Sequence, residues 1–291
     1  MKTGVLLVNK PEGYTSFDVI AVLRGILHER RLGHTGTLDP MATGVLPVLI
    51  GTATKASDII PENEKSYIAG FKLGLSSDTL DITGKITAVS GNKLNFGDLE
   101  GVLPRFRGVI SQLPPMYSAV QVGGKRLYDL ARQGIEIERE PRQIEIFDIS
   151  ITEFEPDTQE GKLFVSCSKG TYIRSLIDDI ARAAGGLGVM TSLVRTSSQG
   201  FLLRDCLTLD EIKACPDIEA KIKSTDSLFT CYKRIDLSEK QAKMYKNGVR
   251  LDPLRVKGGT SEGIYRVYGD QFLGLCRIED GEMIIYKNFW S

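Results

Sequence analysis

Gly33-His34-Thr35-Gly36-Thr37-Leu38-Asp39-Pro40 gathers one carboxylate, one imidazole and two threonine hydroxyls into a single short stretch. The two glycines let the backbone take conformations that other residues resist. Pro40 pushes Asp39 toward an extended backbone and donates no hydrogen bond of its own. A stiff loop presenting Asp39 follows from these residue types. A carboxylate held in this way can act as a nucleophile or as a base. The same residues also suit a plain turn, with the aspartate capping a helix that begins near Pro40. An Asp-Pro pair alone does not separate the two.

Other chemistries lack the residues they need. Cys167, Cys206, Cys215, Cys231 and Cys276 are scattered with no Cys-x-x-Cys pair, and His28 and His34 are the only histidines. Zinc spacing is therefore missing, and the expectation is a protein without metal or cofactor. An odd number of dispersed cysteines fits a reducing compartment, with all five as structural bystanders. Neither a Walker-type phosphate loop nor a dinucleotide fingerprint is present. The 37 basic and 37 acidic residues leave zero net charge, which argues against a nucleic-acid partner. Residues 231–291 soften this only slightly, with 11 Lys/Arg against 8 Asp/Glu.

The elements that must carry the loop are legible around it. Gly4–Val8 reads as a buried strand, and its apolar run stops at Asn9-Lys10-Pro11, too soon for a signal peptide. No stretch reaches the roughly 18 apolar residues of a membrane span, so a cytoplasmic protein is expected. Thr15-Ser16-Phe17-Asp18 resembles a capping box, followed by Val19, Ile20, Val22, Leu23, Ile26 and Leu27 at helical spacing. Residues 32–47 read as an ordered loop and 98–110 as a mixed stretch with helical character, while Tyr67–Leu73, 142–154 and Leu163–Cys167 read as strands. Residues 111–135 read as a short strand, a turn at Gly123-Gly124 and a helix. A helix carrying Ile173, Leu176, Ile177, Ile180 and Ala184 ends at Gly185-Gly186. Strands and helices mix without a βαβ period. The fold class is therefore α+β, a mostly antiparallel mixed sheet flanked by helices. The texture changes near residue 231 to short segments and turns, which divides the chain into residues 1–230 and a small β-rich domain at 231–291.

GHTGTLDPMATGVLP resembles the catalytic motif of the TruB-type pseudouridine synthases, in which the aspartate is the catalytic residue. The resemblance continues through Asn9-Lys10-Pro11 to Ser16, Lys65-Ser66-Tyr67, Gln112 to Ala119 with Gly124-Lys125-Arg126 and Tyr128, and Lys169-Gly170-Thr171-Tyr172-Ile173-Arg174-Ser175-Leu176. It implies a pseudouridine-synthase-like fold, a C-terminal PUA-like module and tRNA as partner. The reaction it implies is isomerisation of the T-arm uridine at tRNA position 55. Breaking N1–C1′, turning the uracil and joining C5 to C1′ needs no redox cofactor or energy source.

The resemblance also implies roles. Asp39 is the essential carboxylate, attacking C1′ or C6 or acting as a base at C2′, and the residues do not choose among these routes. Tyr67 stacks on a flipped uracil and handles the C5 proton, although a lone strand tyrosine more often only packs. Arg174 pairs with Asp39 and orients it, or else faces solvent on its helix. His34, Tyr172 and Leu193 hold the base, with a core role the ordinary reading of Leu193. Residues 123–142, rich in Lys and Arg, match an RNA-clamping insertion or a solvated hairpin equally well. A stand-alone, monomeric enzyme is the expectation. Its rivals are a guide-RNA-dependent synthase and an RNA-binding or RNA-folding protein without catalysis. Retention of Asp39, Tyr67 and Arg174 together argues against the last.

Overall fold

The computed structural model describes every residue except Met1, Glu62, Asn63, Ala119, Gly259, Thr260 and Ser291, and only the backbone of Arg126. In chain order the elements begin with β1 Gly4–Lys10, α1 Ser16–Leu27, β2 Leu32–His34, β3 Thr43–Ile50, β4 Lys65–Leu73, β5 Leu75–Ser77 and β6 Ile86–Val89. Next come α2 Phe96–Val102, β7 Gly108–Gln112, β8 Gln121–Val122, β9 Lys125–Arg126, α3 Leu127–Arg132, β10 Arg142–Glu155 and β11 Glu160–Cys167. They are followed by α4 Ile173–Ala183, β12 Gly188–Ser198, β13 Phe201–Leu202 and α5 Leu209–Ala214. The last are β14 Lys233–Asp236, α6 Glu239–Lys246, β15 Gly263–Tyr268, β16 Phe272–Glu279 and β17 Glu282–Asn288. By packing, the chain forms two compact units. One holds 1–39, 46–62 and 204–291, and the other holds 40–45 and 63–203.

In the first unit Thr15 caps α1 as its sequence predicts. Its hydroxyl accepts from Asp18 N, and the Asp18 carboxylate accepts from Thr15 N at 2.8 Å. The helical spacing then buries Val19, Ile20, Leu23 and Leu27 against Leu6, Val8, Val48 and Ile212. β2 pairs antiparallel with β3, with His34 opposite Val48. Val5 and Lys223 exchange two backbone hydrogen bonds of 2.8 Å, which tie the later stretch of the chain to β1. The strands of 231–291 form a four-stranded sheet in the order β14-β15-β16-β17. That sheet has its own core, including Ile235, Tyr245, Val267 and Met283.

The second unit is built on β12-β4-β11-β10-β7, antiparallel throughout. The start of β3 adds to it in parallel, with Thr43 opposite Val194 and Gly44 opposite Arg195. Gly44 has φ +104°, and a Cβ there would lie 2.2 Å from the Arg195 carbonyl oxygen, so only glycine fits. Phe71, Leu73, Leu163, Leu99, Ile177, Ile180 and Ala181 surround one small gap, which puts α2 and α4 over the same sheet face. Gly188 permits this approach, since a Cβ would fall 2.7 Å from the Ala181 methyl.

Two expectations change, and one strand is new. The stretch 32–47 is loop only in its middle, because its apolar flanks pair as β2 and β3. Residues 98–110 are helical only to Phe106, after which β7 pairs with β10 through Gln112–Arg142. Residues 188–198, to which alternation assigned nothing, form β12 beside β4. It carries two register shifts, between Met190 and Ser192 and between Arg195 and Ser197.

Candidate active site

Asp39 is positioned by its predecessor in the chain. Leu38 is 3% exposed, its N–H donates to Ser16 Oγ at 2.9 Å, and Ser16 Oγ donates back to the Leu38 carbonyl at 3.3 Å. Ser16 is the first residue of α1, so the capped helix start holds the backbone that presents Asp39. On the other side of the loop, Thr35 N donates to the Pro47 carbonyl at 3.3 Å, just after His34 closes β2. Asp39 and His34 therefore leave one loop anchored at both ends, each half-buried. The reading of Asp39 as the cap of a helix at Pro40 fails, because an extended stretch and a turn lead straight into β3.

The second unit gathers the other predicted residues. Tyr67 on β4 faces Arg195 on β12 and Val165 on β11. Leu193, opposite Ala69, shares the same sheet face, and Tyr67 and Leu193 are each 7% exposed. Tyr172 sits at the N-cap of α4, where its side chain makes no capping bond. Gln112 does the anchoring instead. Its Nε2 donates to the Tyr172 carbonyl at 3.0 Å and its Oε1 accepts from Tyr172 N at 2.8 Å.

Arg174, in the first turn of α4, is 6% exposed. Its Nη1 donates to the Thr79 carbonyl at 2.9 Å and its Nη2 to the Tyr117 carbonyl at 2.8 Å. Nη1 also stands 3.7 Å from Asp81 Oδ2. The alternative of a solvent-facing arginine is overturned: the guanidinium is buried in a fixed fork. The motifs at 112–119 and 169–176 thus interlock through Gln112–Tyr172 and Tyr117–Arg174.

Asp81 escaped the sequence reading. Its Oδ1 accepts from Thr79 Oγ1 at 2.9 Å, Thr83 N at 3.0 Å and Thr83 Oγ1 at 2.6 Å. The available signal was the density of Asp and Thr in DTLDITG, residues 78–84. In 123–142, Arg132 stacks on Tyr128 at 4.9 Å and Arg139 donates to the Pro114 carbonyl at 3.0 Å. These two arginines are partly committed within the protein. Among the described residues no His, Cys, Asp or Glu cluster suits a metal ion.

Comparison with known proteins agrees in one direction. A family model described as TruB family pseudouridylate synthase (N terminal domain) matches residues 24–173. The tRNA pseudouridine synthase B of Clostridium kluyveri is 40% identical over 289 residues, covering 98% of this chain and 99% of that protein. That of Clostridium acetobutylicum is 43% identical over 286 residues, with 97% and 98% covered. Among solved structures, a chain of a Cbf5-Nop10-Gar1 complex aligns with TM-score 0.74 and 23% identity over 99% of this chain and 85% of its own. A chain of an H/ACA RNP bound to a substrate RNA containing 2′-deoxyuridine aligns with TM-score 0.74 at 21% identity, with the same coverage. At such identities the structural likeness establishes the fold.

Proposed function

This chain belongs to the TruB family of pseudouridylate synthases and is an isomerase, and from that premise we propose that it converts the T-arm uridine of tRNA, position 55, into pseudouridine. The observation that carries the substrate is the near full-length similarity to proteins named tRNA pseudouridine synthase B. In this reading the uridine flips out of its stack, Tyr67 packs on the base, and His34, Tyr172 and Leu193 hold it. The Asp39 carboxylate attacks the ribose or the base, or takes the C2′ proton, and the N1–C1′ bond breaks. The uracil turns and C5 joins C1′ as Asp39 is released, or returns the C2′ proton. N1 takes a proton from solvent while Tyr67 relays the C5 proton to bulk solvent.

Arg174 orients Asp39 in this scheme. The support is its rigidity: both terminal nitrogens are already held by backbone carbonyls, so little reorganisation accompanies the reaction. Residues 1–230 act as the catalytic domain, and 231–291 as a PUA-like module touching RNA elsewhere. The separate sheet and core of 231–291 support that division. The enzyme works in the cytoplasm as a monomer without a guide RNA.

Purified protein alone, given a T-arm transcript carrying 5-tritiated uridine, should release about one tritium per transcript. Release that requires an added guide RNA would transfer the protein to the guide-dependent class. Binding without release under any condition would leave an RNA-binding protein and overturn the proposal.

A further inference from the structure

Lys65 opens β4 two residues before Tyr67, so both side chains leave the strand on one face. The register fixes its neighbours there. Lys65 lies opposite Ser198 of β12 and Cys167 of β11, one row along from Arg195, Tyr67 and Val165. Lys65 is half-buried, and among the described residues its ammonium makes neither a hydrogen bond nor an ion pair. The charges acting on it are Arg195, Lys169 and the Cys167 thiol. The carboxylate next to it in sequence, Glu64, accepts from Ser166 Oγ at 2.6 Å. Ser198 is fully buried, and its Oγ, in the row of Lys65, has no partner.

An ammonium taken partly out of water beside other cations costs stability unless something compensates it. Burial, then Arg195, pulls the Lys65 pKa down to about 8, which is the mark of that cost. A hydrophobic residue would serve the fold better at this position. The group therefore serves a ligand, and a desolvated cation beside an unused hydroxyl donor selects an anion.

We propose that Lys65 and Ser198 form an anion seat that receives one phosphate of the substrate RNA, with Lys169 at its rim. The identity of the anion rests on the reading of the protein as an RNA-modifying enzyme. RNA supplies phosphates at every nucleotide, and a lysine takes one as a point charge. A phosphate seated beside Lys65 engages RNA on the same sheet face as Tyr67, and so fixes the strand next to the base that Tyr67 is to stack.

The test measures T-arm RNA binding across a salt series for wild type, Lys65→Met, Lys65→Arg and Ser198→Ala. Lys65→Met should weaken binding about tenfold and lower the log–log salt slope by roughly 0.7 to 0.9, one phosphate contact. Lys65→Arg should keep the slope. The single-turnover rate at saturating RNA should fall far less than the affinity. Single neutral methylphosphonates along the RNA should reveal one position that weakens wild type and leaves Lys65→Met unmoved. Wild-type affinity and slope in Lys65→Met, or no such coupled position, would overturn the seat. If wild type neither binds nor converts the RNA, the functional reading fails separately. The seat is then judged by inorganic phosphate, which should raise the Lys65 pKa followed by NMR. A titration unmoved by phosphate would remove the seat as well.

Discussion

Arg174→Met is the substitution whose cost the structure specifies most fully. Arg174 and Asp81 have side chains only 7% exposed each, 3.7 Å apart, and Arg174 also occupies the carbonyls of Thr79 and Tyr117. Removing the guanidinium leaves a buried carboxylate without its counter-charge, a loss of about 3–5 kcal/mol. For a domain of this size that lowers the melting temperature by about 10 °C. Asp81→Asn deletes the charge while keeping the carbonyl that Thr79 and Thr83 use, so its own cost should be about 1–2 kcal/mol. The double variant should then be more stable than the two losses added together imply, with a coupling of at least about 1 kcal/mol. Urea unfolding of all four proteins at pH 7 measures the cycle. A loss under about 1 kcal/mol for Arg174→Met, or a coupling under about 0.5 kcal/mol, would refute the claim that Asp81 and Arg174 compensate each other. Arg174→Lys should also lose stability, since one ammonium cannot span both carbonyls in the geometry of the fork.

Asp39→Asn should abolish turnover while leaving RNA affinity within a few fold. A single-turnover rate above a few per cent of wild type would remove Asp39 from the chemical step. Lys65 should make stability rise with pH: its folded pKa of about 8 lies below the usual 10.5, so the unfolded chain holds more protons between those values. Wild type should gain about 3 kcal/mol across that window relative to Lys65→Met, and parallel stability curves for the two proteins would count against it. Removing residues 231–291 should weaken tRNA binding and flatten its salt dependence more than it slows conversion of a bound T-arm minihelix. Melts must accompany that measurement, because Phe229 packs on Phe272 and Phe289 at ring separations of 6.3 and 5.7 Å and loses both.

The parts of the fold that depend on local chemistry were legible in the sequence. The Thr15 cap, the apolar stripe of α1 and the Gly185 end of α4 each express a short-range rule, and each stands in the structure. What escaped depends on partners distant in sequence. β12 takes its place from pairing with β3 and β4, and β7 from pairing with β10. The site divides along the same line. Asp39 became a candidate through resemblance, its loop chemistry alone leaving a plain turn equally open, whereas the fork that holds Arg174 draws on carbonyls 57 and 95 residues away. Carbonyls leave no trace in residue identity, so no motif announces them. Ser16 likewise reads as an ordinary helix start, although its hydroxyl fixes the residue before Asp39.

A chain with 37 basic and 37 acidic residues exerts no strong overall field on a polyanion, so RNA affinity must arise from local charge. The basic residues differ in how far the protein already neutralises them. Lys72 pairs with Glu160 at 2.8 Å, Lys162 with Glu153 at 2.9 Å, Arg182 with Asp178 at 2.7 Å and Arg234 with Asp236 at 2.6 Å. Such pairs contribute little beyond a Debye length, and recruiting one of these cations to a phosphate would strand its carboxylate. Lys65 has no acid to abandon, so a phosphate beside it adds an interaction without breaking one. The contacts that matter for RNA should therefore be few and positioned. Binding should show a shallower salt dependence than a generally basic protein would, with more of its selectivity carried by the shape of the arm and the flipped base.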